Sequence, residues 1–470
     1  MRPRYWLPLT SGAQICSLLF GAVTNVLYAR LLAPADIGRV AVLLALAAGV
    51  VLIADGGLQL FLTRAVARAE VAERAAVSAF LVVVPLFVLG VWAVLYAATT
   101  LVGRVTSIGL PRPLQLLELA LALALFQGSL ALCQATGRFR LRALLLVSNG
   151  LGTAALTALL LVESRTVAAA IQATALAYLI VGGFALGAAG VRFGVDRVSV
   201  TIVRTWIRGG RGLWLNGGLG FVTSTADVLL AALVLPAASV GYYQVTKKLS
   251  LLALSPIAAI LPLVYAHLSG ISAAERSVFV RRVVTLGVGV VAALLVVLSP
   301  YAHSVVSAVF GAPYGAHVWI LFTLVAIGAM QFLHNLLGYV CASAGQFFRP
   351  LWMNIGVALS GAALSLAGGW ALGIPGFLAG LALANALGIV LGVTFTTRLL
   401  NLRARESVFA MAVTAWAALA VALGLAGLSW IVGAGVGIVV GATLILAACN
   451  PRARALFIGQ PDPAGLPHPF

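Results

Sequence analysis

The sequence is poor in charged residues, and above all in acidic residues and lysine. Only 9% of its 470 residues are charged, Asp and Glu together number 11, and Lys247 and Lys248 are the only lysines. A soluble domain normally carries about 25% charged residues, so this composition excludes a water-soluble globular protein. The polar covering that a soluble surface of this size needs is missing.

Residues that build catalytic or metal centres are equally scarce. The 4 cysteines are far apart without a CxxC spacing, and the 5 histidines do not cluster. The chain contains no HExxH, P-loop or GxSxG motif. Two predicted outer loops, about 99–114 and 307–315, lack Asp and Glu, which disfavours a membrane glycosyltransferase or polymerase. We expect no enzyme activity, no metal and no cofactor, while a proton or sodium ion as coupling ion stays open.

Long apolar runs fill the chain instead. Hydrophobic residues make up 62% of it, and the mean hydropathy is +1.12. The runs do not alternate as barrel strands do, so we predict an all-α polytopic membrane protein with about 14 transmembrane helices. The predicted spans are 9–30, 40–62, 75–98, 115–135, 142–163, 166–190, 213–235, 240–267, 283–306, 316–342, 350–372, 374–397, 407–428 and 431–449, and Asp55 with two following glycines can end the second span early.

The arginines predict the orientation of these helices. Most lie in alternate loops, which places both termini in the cytoplasm. The high Arg and Ala content suggests a GC-rich bacterial genome, so we expect the membrane to be a bacterial cytoplasmic membrane. On the outer side of the membrane we place only Arg30, Arg39, Arg104, Arg112 and Arg165. The net charge of +18 then faces anionic lipid, and its dispersal over many loops argues against nucleic acid as a partner.

A basic connector divides the chain into two halves. We predict an N-lobe at 1–190, a cytoplasmic connector at 191–212, a C-lobe at 213–398, an extra helix pair at 399–449 and a disordered tail at 450–470. Residues 31–38 (LLAPADIG) resemble residues 234–241 (VLPAASVG), since in both an apolar helix ends and a glycine opens the next one. This favours an internally duplicated transporter with substrate sites between its repeats.

Two hairpins carry a resemblance to a known family. The run Tyr28–Gly38, followed by Asp55–Leu58 and Thr63–Arg68, resembles the N-terminal signature of polysaccharide flippases of the Wzx type. The segment Ala226–Leu230 with Val240–Leu249 is similar to a second signature of this family, which belongs to the multidrug/oligosaccharidyl-lipid/polysaccharide (MOP) exporter superfamily.

The resemblance implies two six-helix lobes around a central cavity plus two C-terminal helices. It further implies export of a polyprenyl-pyrophosphate-linked oligosaccharide from the inner to the outer leaflet by alternating access, beside a polysaccharide polymerase and glycosyltransferases. The alternative is a small-molecule or drug exporter of the MATE type, whose cavity would favour acidic or apolar groups.

A pyrophosphate crossing the membrane needs cations inside it. Lys247 and Lys248 are the candidates, because they stand within a span while the loops use arginine. Asp227 and Lys248 reach about the same depth, near 15 Å, on neighbouring helices, so we predict a salt bridge between them. It either opens during transport or serves as a fixed structural pair.

Four further residues are predicted site residues with a plain alternative each. Arg30 either binds the departing phosphate or anchors its helix by reaching the lipid head groups. Asn25 either binds sugar hydroxyls or forms an interhelical hydrogen bond. Asp55 either couples transport to a cation or caps a helix. His334 either relays protons or is an interior histidine whose hydrogen bonds are satisfied.

Overall fold

The computed structural model describes most of the first 400 residues and consists of helices there. The described residues are 6–59, 73–102, 113–188, 225–268, 270–298, 301–346 and 348–400, with the single positions 61, 66, 204, 206, 218 and 221. Their helices are α1 (Trp6–Leu31), α2 (Pro34–Asp55), α3 (Glu73–Val102), α4 (Pro113–Ala135), α5 (Phe139–Ser164), α6 (Val167–Ala188), α7 (Ala226–Val234), α8 (Ala237–Leu268), α9 (Ala273–Leu298), α10 (Ala302–Phe310), α11 (Ala312–Gly315), α12 (Val318–Ser343), α13 (Phe348–Leu372) and α14 (Ile374–Leu400).

The all-α membrane class predicted from composition is confirmed. Among the described residues, 8 helices are long and apolar enough to cross a membrane. Large apolar side chains such as Leu159, Trp370 and Leu372 are exposed on them, as a lipid-facing surface requires. The chain is therefore a multi-pass membrane protein.

The second predicted span, 40–62, starts too late, and its early end is the one that the sequence allowed. Pro34 lies in the first turn of α2, where its missing N–H costs nothing, so the helix starts earlier. It ends at Asp55, the early end that the sequence allowed, because Gly56 adopts a left-handed conformation (φ 52°) and closes the helix with a bond to the Leu52 carbonyl.

The ninth predicted span, 283–306, is also shifted. α9 starts about ten residues earlier, at Ala273, because Ser272 and Glu275 form a capping box: the Ser272 backbone N–H donates to Glu275 Oε2 over 2.9 Å, and the Glu275 backbone N–H donates to Ser272 Oγ over 3.4 Å. It ends at Leu298, and the short helix α10 follows. The predicted spans 407–428 and 431–449 and the predicted tail lie outside the described residues, as does almost all of the connector.

The helices of the two halves pack in the same pattern. In the first half α1 packs on α5, α2 on α3 and α4, and α6 on both α4 and α5. In the second half the corresponding pairs are α7 with α13, α8 with α9 and α12, and α14 with both α12 and α13. The matching pairs agree with the predicted duplication, while the exact lobe boundaries stay a prediction.

The halves meet through α1 and α2 on one side and α7, α8 and α10 on the other. We call the end of the bundle at which residues 31–34 join α1 to α2, and residues 235–237 join α7 to α8, the hairpin end. The arginine distribution predicts that this end faces the outside.

Candidate functional site

A cavity of about 370 Å³ lies inside the second half. Five helices line it: α7, α8, α12, α13 and α14. Most of its wall is aliphatic, and its polar lining consists of Asp227, Tyr243, Lys247, Ser250, Gln331, His334, Asn335 and Asn385. An apolar chamber with a few converging polar groups is the usual form of a binding or coupling site.

A charged pair forms the polar wall of this cavity. Lys247 Nζ donates to both carboxylate oxygens of Asp227 over 2.7 Å, and the Tyr243 hydroxyl donates to Oδ2. Both charged side chains are about seven-eighths buried, at 13% and 14% exposure. Asp227 lies in the first turn of α7, where the helix dipole also favours a negative charge. The carboxylate is therefore fully engaged by groups of its own chain.

The predicted partner of Asp227, Lys248, is wrong, because Lys247 forms the bridge. Successive side chains on a helix point about 100° apart, so only one of two adjacent lysines can face α7. Lys248 is exposed. It lies about two turns beyond Gly241 on the same face of α8, and Gly241 contacts α2 of the first half. Lys248 therefore faces the space between the two halves.

His334 lines the same cavity from α12 and is 3% exposed. Its Nε2 lies 2.8 Å from Oδ1 of Asn354 on α13. Because an amide oxygen can only accept, Nε2 carries the proton in this arrangement. Nδ1 is then an acceptor, and it is buried without a hydrogen-bond partner. The ring thus offers one free site for a proton or a donor group.

The sequence profile described as "Polysaccharide biosynthesis protein" matches residues 8–265, which is more than half of the chain. The chain belongs to the polysaccharide biosynthesis protein family. Comparison with curated proteins finds no significant match.

Solved structures show which fold this polysaccharide biosynthesis family member has. An inward-facing multidrug resistance MATE family transporter of the MOP superfamily is similar, with a TM-score of 0.67 and 14% identity over 82% of this chain and 94% of the transporter. Lipid II flippase MurJ, inward closed, gives a TM-score of 0.68 and 12% identity over 94% of this chain and 100% of MurJ. A MOP superfamily transporter from Pyrococcus furiosus has a TM-score of 0.56 and 14% identity over 86% of this chain and 98% of the transporter.

These likenesses show the MOP superfamily fold. The predicted resemblance to Wzx-type flippases of this superfamily fits the family match and the fold, and it is confirmed at that level. In this polysaccharide biosynthesis family member the run Tyr28–Gly38 of the first signature forms the hairpin that joins α1 to α2, and the second signature lies on the hairpin that joins α7 to α8. Asp55–Leu58 follows at the other end of α2, and Thr63–Arg68 lies almost wholly outside the described residues.

Three predicted site residues of the family member lie away from the cavity. Arg30, at the end of α1, donates through Nε to the Val309 carbonyl over 2.9 Å and through Nη2 to the Ala308 carbonyl. Asn25 is buried on α1. Asp55 ends α2, and its Oδ1 accepts the backbone N–H of Gln59 over 3.0 Å, as a cap does.

The structure adds two residues to the site that were not predicted. Tyr243 binds Asp227, and Asn354 binds His334. Tyr243 could have been found, because it lies one helical turn before Lys247 and therefore on the same face of α8. Asn354 could not, since its partner lies on another helix and nothing in the sequence gives their relative rotation.

Proposed function

We propose that this protein is a flippase that moves a polyprenyl-pyrophosphate-linked oligosaccharide from the inner to the outer leaflet of the bacterial cytoplasmic membrane. It works by alternating access, in cell-surface polysaccharide biosynthesis, and both termini face the cytoplasm. Membership of the polysaccharide biosynthesis family supports this substrate class. The fold supports it as well, since one similar structure is a lipid II flippase.

The exposed Lys248 carries this proposal. A pyrophosphate passing between the halves needs a cation there, and Lys248 faces that space with its side chain exposed. Lys247 serves a different purpose, because its ammonium is held by Asp227 inside the second half. We therefore assign phosphate contact to Lys248 and stability of the second half to Lys247. Asn25 and Arg30 stay predicted substrate contacts.

Coupling is proposed to use protons at the cavity of the second half. Asp227 is a poor sodium ligand, because its carboxylate oxygens are already bound by Lys247 and Tyr243. His334 Nδ1 is an acceptor without a partner and can take a proton. Asp55 has less support, because its carboxylate acts as a backbone cap. In this proposal the protein itself catalyses no reaction, and the polymerase and glycosyltransferases of the pathway work beside it.

Export of a small molecule is the second candidate. The likeness to the inward-facing MATE transporter is as strong as that to MurJ, and the cavity wall is mainly aliphatic. An apolar chamber suits a lipophilic organic cation, whereas an exposed lysine in the path of such a cation opposes it.

The test is a flipping assay in proteoliposomes with a fluorescent polyprenyl-pyrophosphate oligosaccharide. We expect Lys248→Ala to slow flipping about tenfold to a hundredfold, because a hydrogen bond to a charged group contributes about 1.5–3 kcal/mol. Lys248→Arg keeps the cation and should retain most of the rate. Wild-type flipping that Lys248→Ala leaves unchanged would remove Lys248 from the substrate path.

A matched control comes from the adjacent lysine. Lys247→Met combined with Asp227→Leu removes the internal pair without leaving a lone charge, and it should flip lipid faster than Lys248→Ala. Extrusion of a cationic dye without any lipid flipping would place the protein among the drug exporters.

A further inference from the structure

Two glycines bring the halves into backbone contact at the hairpin end. Gly38 lies in the first turns of α2 and Gly241 in those of α8, and both are buried. A Cβ added to Gly38 would overlap the Ala237 carbonyl oxygen, and one added to Gly241 would overlap the Pro34 carbonyl oxygen. The glycine of each helix therefore packs against the first carbonyl of the other helix, and no residue larger than glycine fits at either crossing point.

This contact is close but chemically weak. It consists of van der Waals packing and Cα–H contacts to carbonyl oxygens, each of which contributes little on its own. The ion pair of this region, Asp36 with Arg39, forms within α2 and does not cross to α8. Such a contact seals well when it is closed and separates without the loss of a strong bond.

Arg30 joins the same two halves beside the glycines. Its guanidinium binds the carbonyls of Ala308 and Val309 in the last turn of α10. The last carbonyls of a helix have no partner within it, so a cation there is a favourable cap. The bond links α1 of the first half to α10 of the second. It is also exposed, so it can exchange with water.

Further along α8 the halves no longer close off the face that carries Gly241. Lys248, about two turns on, is exposed on that face. The space between the halves is thus sealed at the hairpin end and accessible beyond it. Two solved structures with the same fold, the MATE transporter and MurJ, are in inward-facing and inward closed conformations.

We propose that the Gly38–Gly241 crossing is the outer gate of this protein and that Arg30, bound to the carbonyls of α10, is its latch. The inference rests on the proposed function in one respect, namely that the protein alternates between an inward and an outward conformation. In the outward conformation α2 and α8 separate at the two glycines, and Arg30 releases Ala308 and Val309. This latch role explains the position of Arg30 without any bound phosphate.

The gate is tested by thiol accessibility, without any sugar lipid. The four native cysteines are replaced by serine, and Lys248→Cys provides a reporter below the gate. A membrane-impermeant maleimide is applied to intact cells, and separately to inverted membrane vesicles, and the labelling rate is measured. With the gate intact we expect slow labelling from outside and fast labelling from inside.

Opening the gate should raise the outside rate alone. We expect Gly241→Leu and Arg30→Gln each to increase outside labelling about tenfold, because the leucine side chain overlaps Pro34 in the closed state and the glutamine loses a contact made only in that state. Gly183→Leu on α6 is the matched control, since a Cβ there meets no atom within 4 Å, and it should leave the rate unchanged. Arg30→Lys keeps a donor and should fall between Arg30→Gln and the parent.

Two results would overturn the gate. One is fast outside labelling of the parent reporter, which would mean that the hairpin end is open. The other is an unchanged outside rate in folded Arg30→Gln and Gly241→Leu. Gly241→Ala replaces Gly241→Leu where the larger side chain prevents folding, as judged by size-exclusion chromatography. A responsive gate in a protein that flips no sugar lipid would refute the proposed substrate and leave the gate intact.

Discussion

We expect Asp227→Ala to lower the free energy of unfolding by about 3 kcal/mol, the low end of the cost of breaking a buried pair. The substitution leaves the Lys247 ammonium in the cavity wall with its carboxylate partner removed, and it also takes away the acceptor of the Tyr243 hydroxyl. Thermal denaturation of the purified protein in detergent, followed by size-exclusion chromatography, measures the loss.

The chain provides an exposed pair as the control. Arg39 and Asp36 lie 3.0 Å apart with side chains 50% and 31% exposed, so Asp36→Ala should cost about 0–1 kcal/mol. The double variant Asp227→Leu/Lys247→Met should regain most of the lost stability, because no lone charge remains. An equal loss of unfolding free energy for Asp227→Ala and Asp36→Ala would show that the internal pair stabilises the protein no more than the exposed pair.

A second large effect is expected at the crossing of α13 and α14. A Cβ on Gly380 would lie 2.5 Å from the carbonyl carbon and oxygen of Leu364 and from the Ser365 nitrogen. These are backbone atoms, which cannot turn aside as a side chain does. We expect Gly380→Ala to cost about 3 kcal/mol and Gly380→Leu to prevent folding.

The same substitution in open space should act in the opposite direction. Gly183 has no atom within 4 Å of an added Cβ, and alanine is favoured over glycine in a helix by up to about 1 kcal/mol. Gly183→Ala should therefore be neutral or stabilising in the same denaturation assay. A similar change in melting temperature for both alanine variants would contradict the close packing of α13 on α14.

The existence of the helices could be predicted from the sequence, whereas their ends depend on local capping residues that hydropathy does not show. Apolar runs long enough to span a bilayer leave helices as the sole way to satisfy the backbone in lipid. The end of α2 was foreseeable from Asp55 and Gly56, and its start from Pro34. The early start of α9 depends on the Ser272–Glu275 capping box, which adds polar turns that hydropathy does not count.

The candidate site was predictable by residue type and not by orientation. Two lysines within an apolar run, with an aspartate across the hairpin, predicted an internal ion pair. Which lysine forms it depends on the rotation of α8 relative to α7, and an error of one residue changes the answer by about 100°. The bond of His334 to Asn354 depends in the same way on how α12 packs against α13. The role of each residue in transport stays a prediction.

The reciprocal glycine contact has a consequence for the origin of the chain. Pro34 and Gly38 occupy the positions in residues 31–38 that Ala237 and Gly241 occupy in residues 234–241. Gly38 touches Ala237 and Gly241 touches Pro34, so each partner presents the same positions to the other. This is the defining property of an isologous interface in a two-fold symmetric dimer. A single half carrying this hairpin could pair with its own copy, and the present protein holds that dimer interface within one polypeptide.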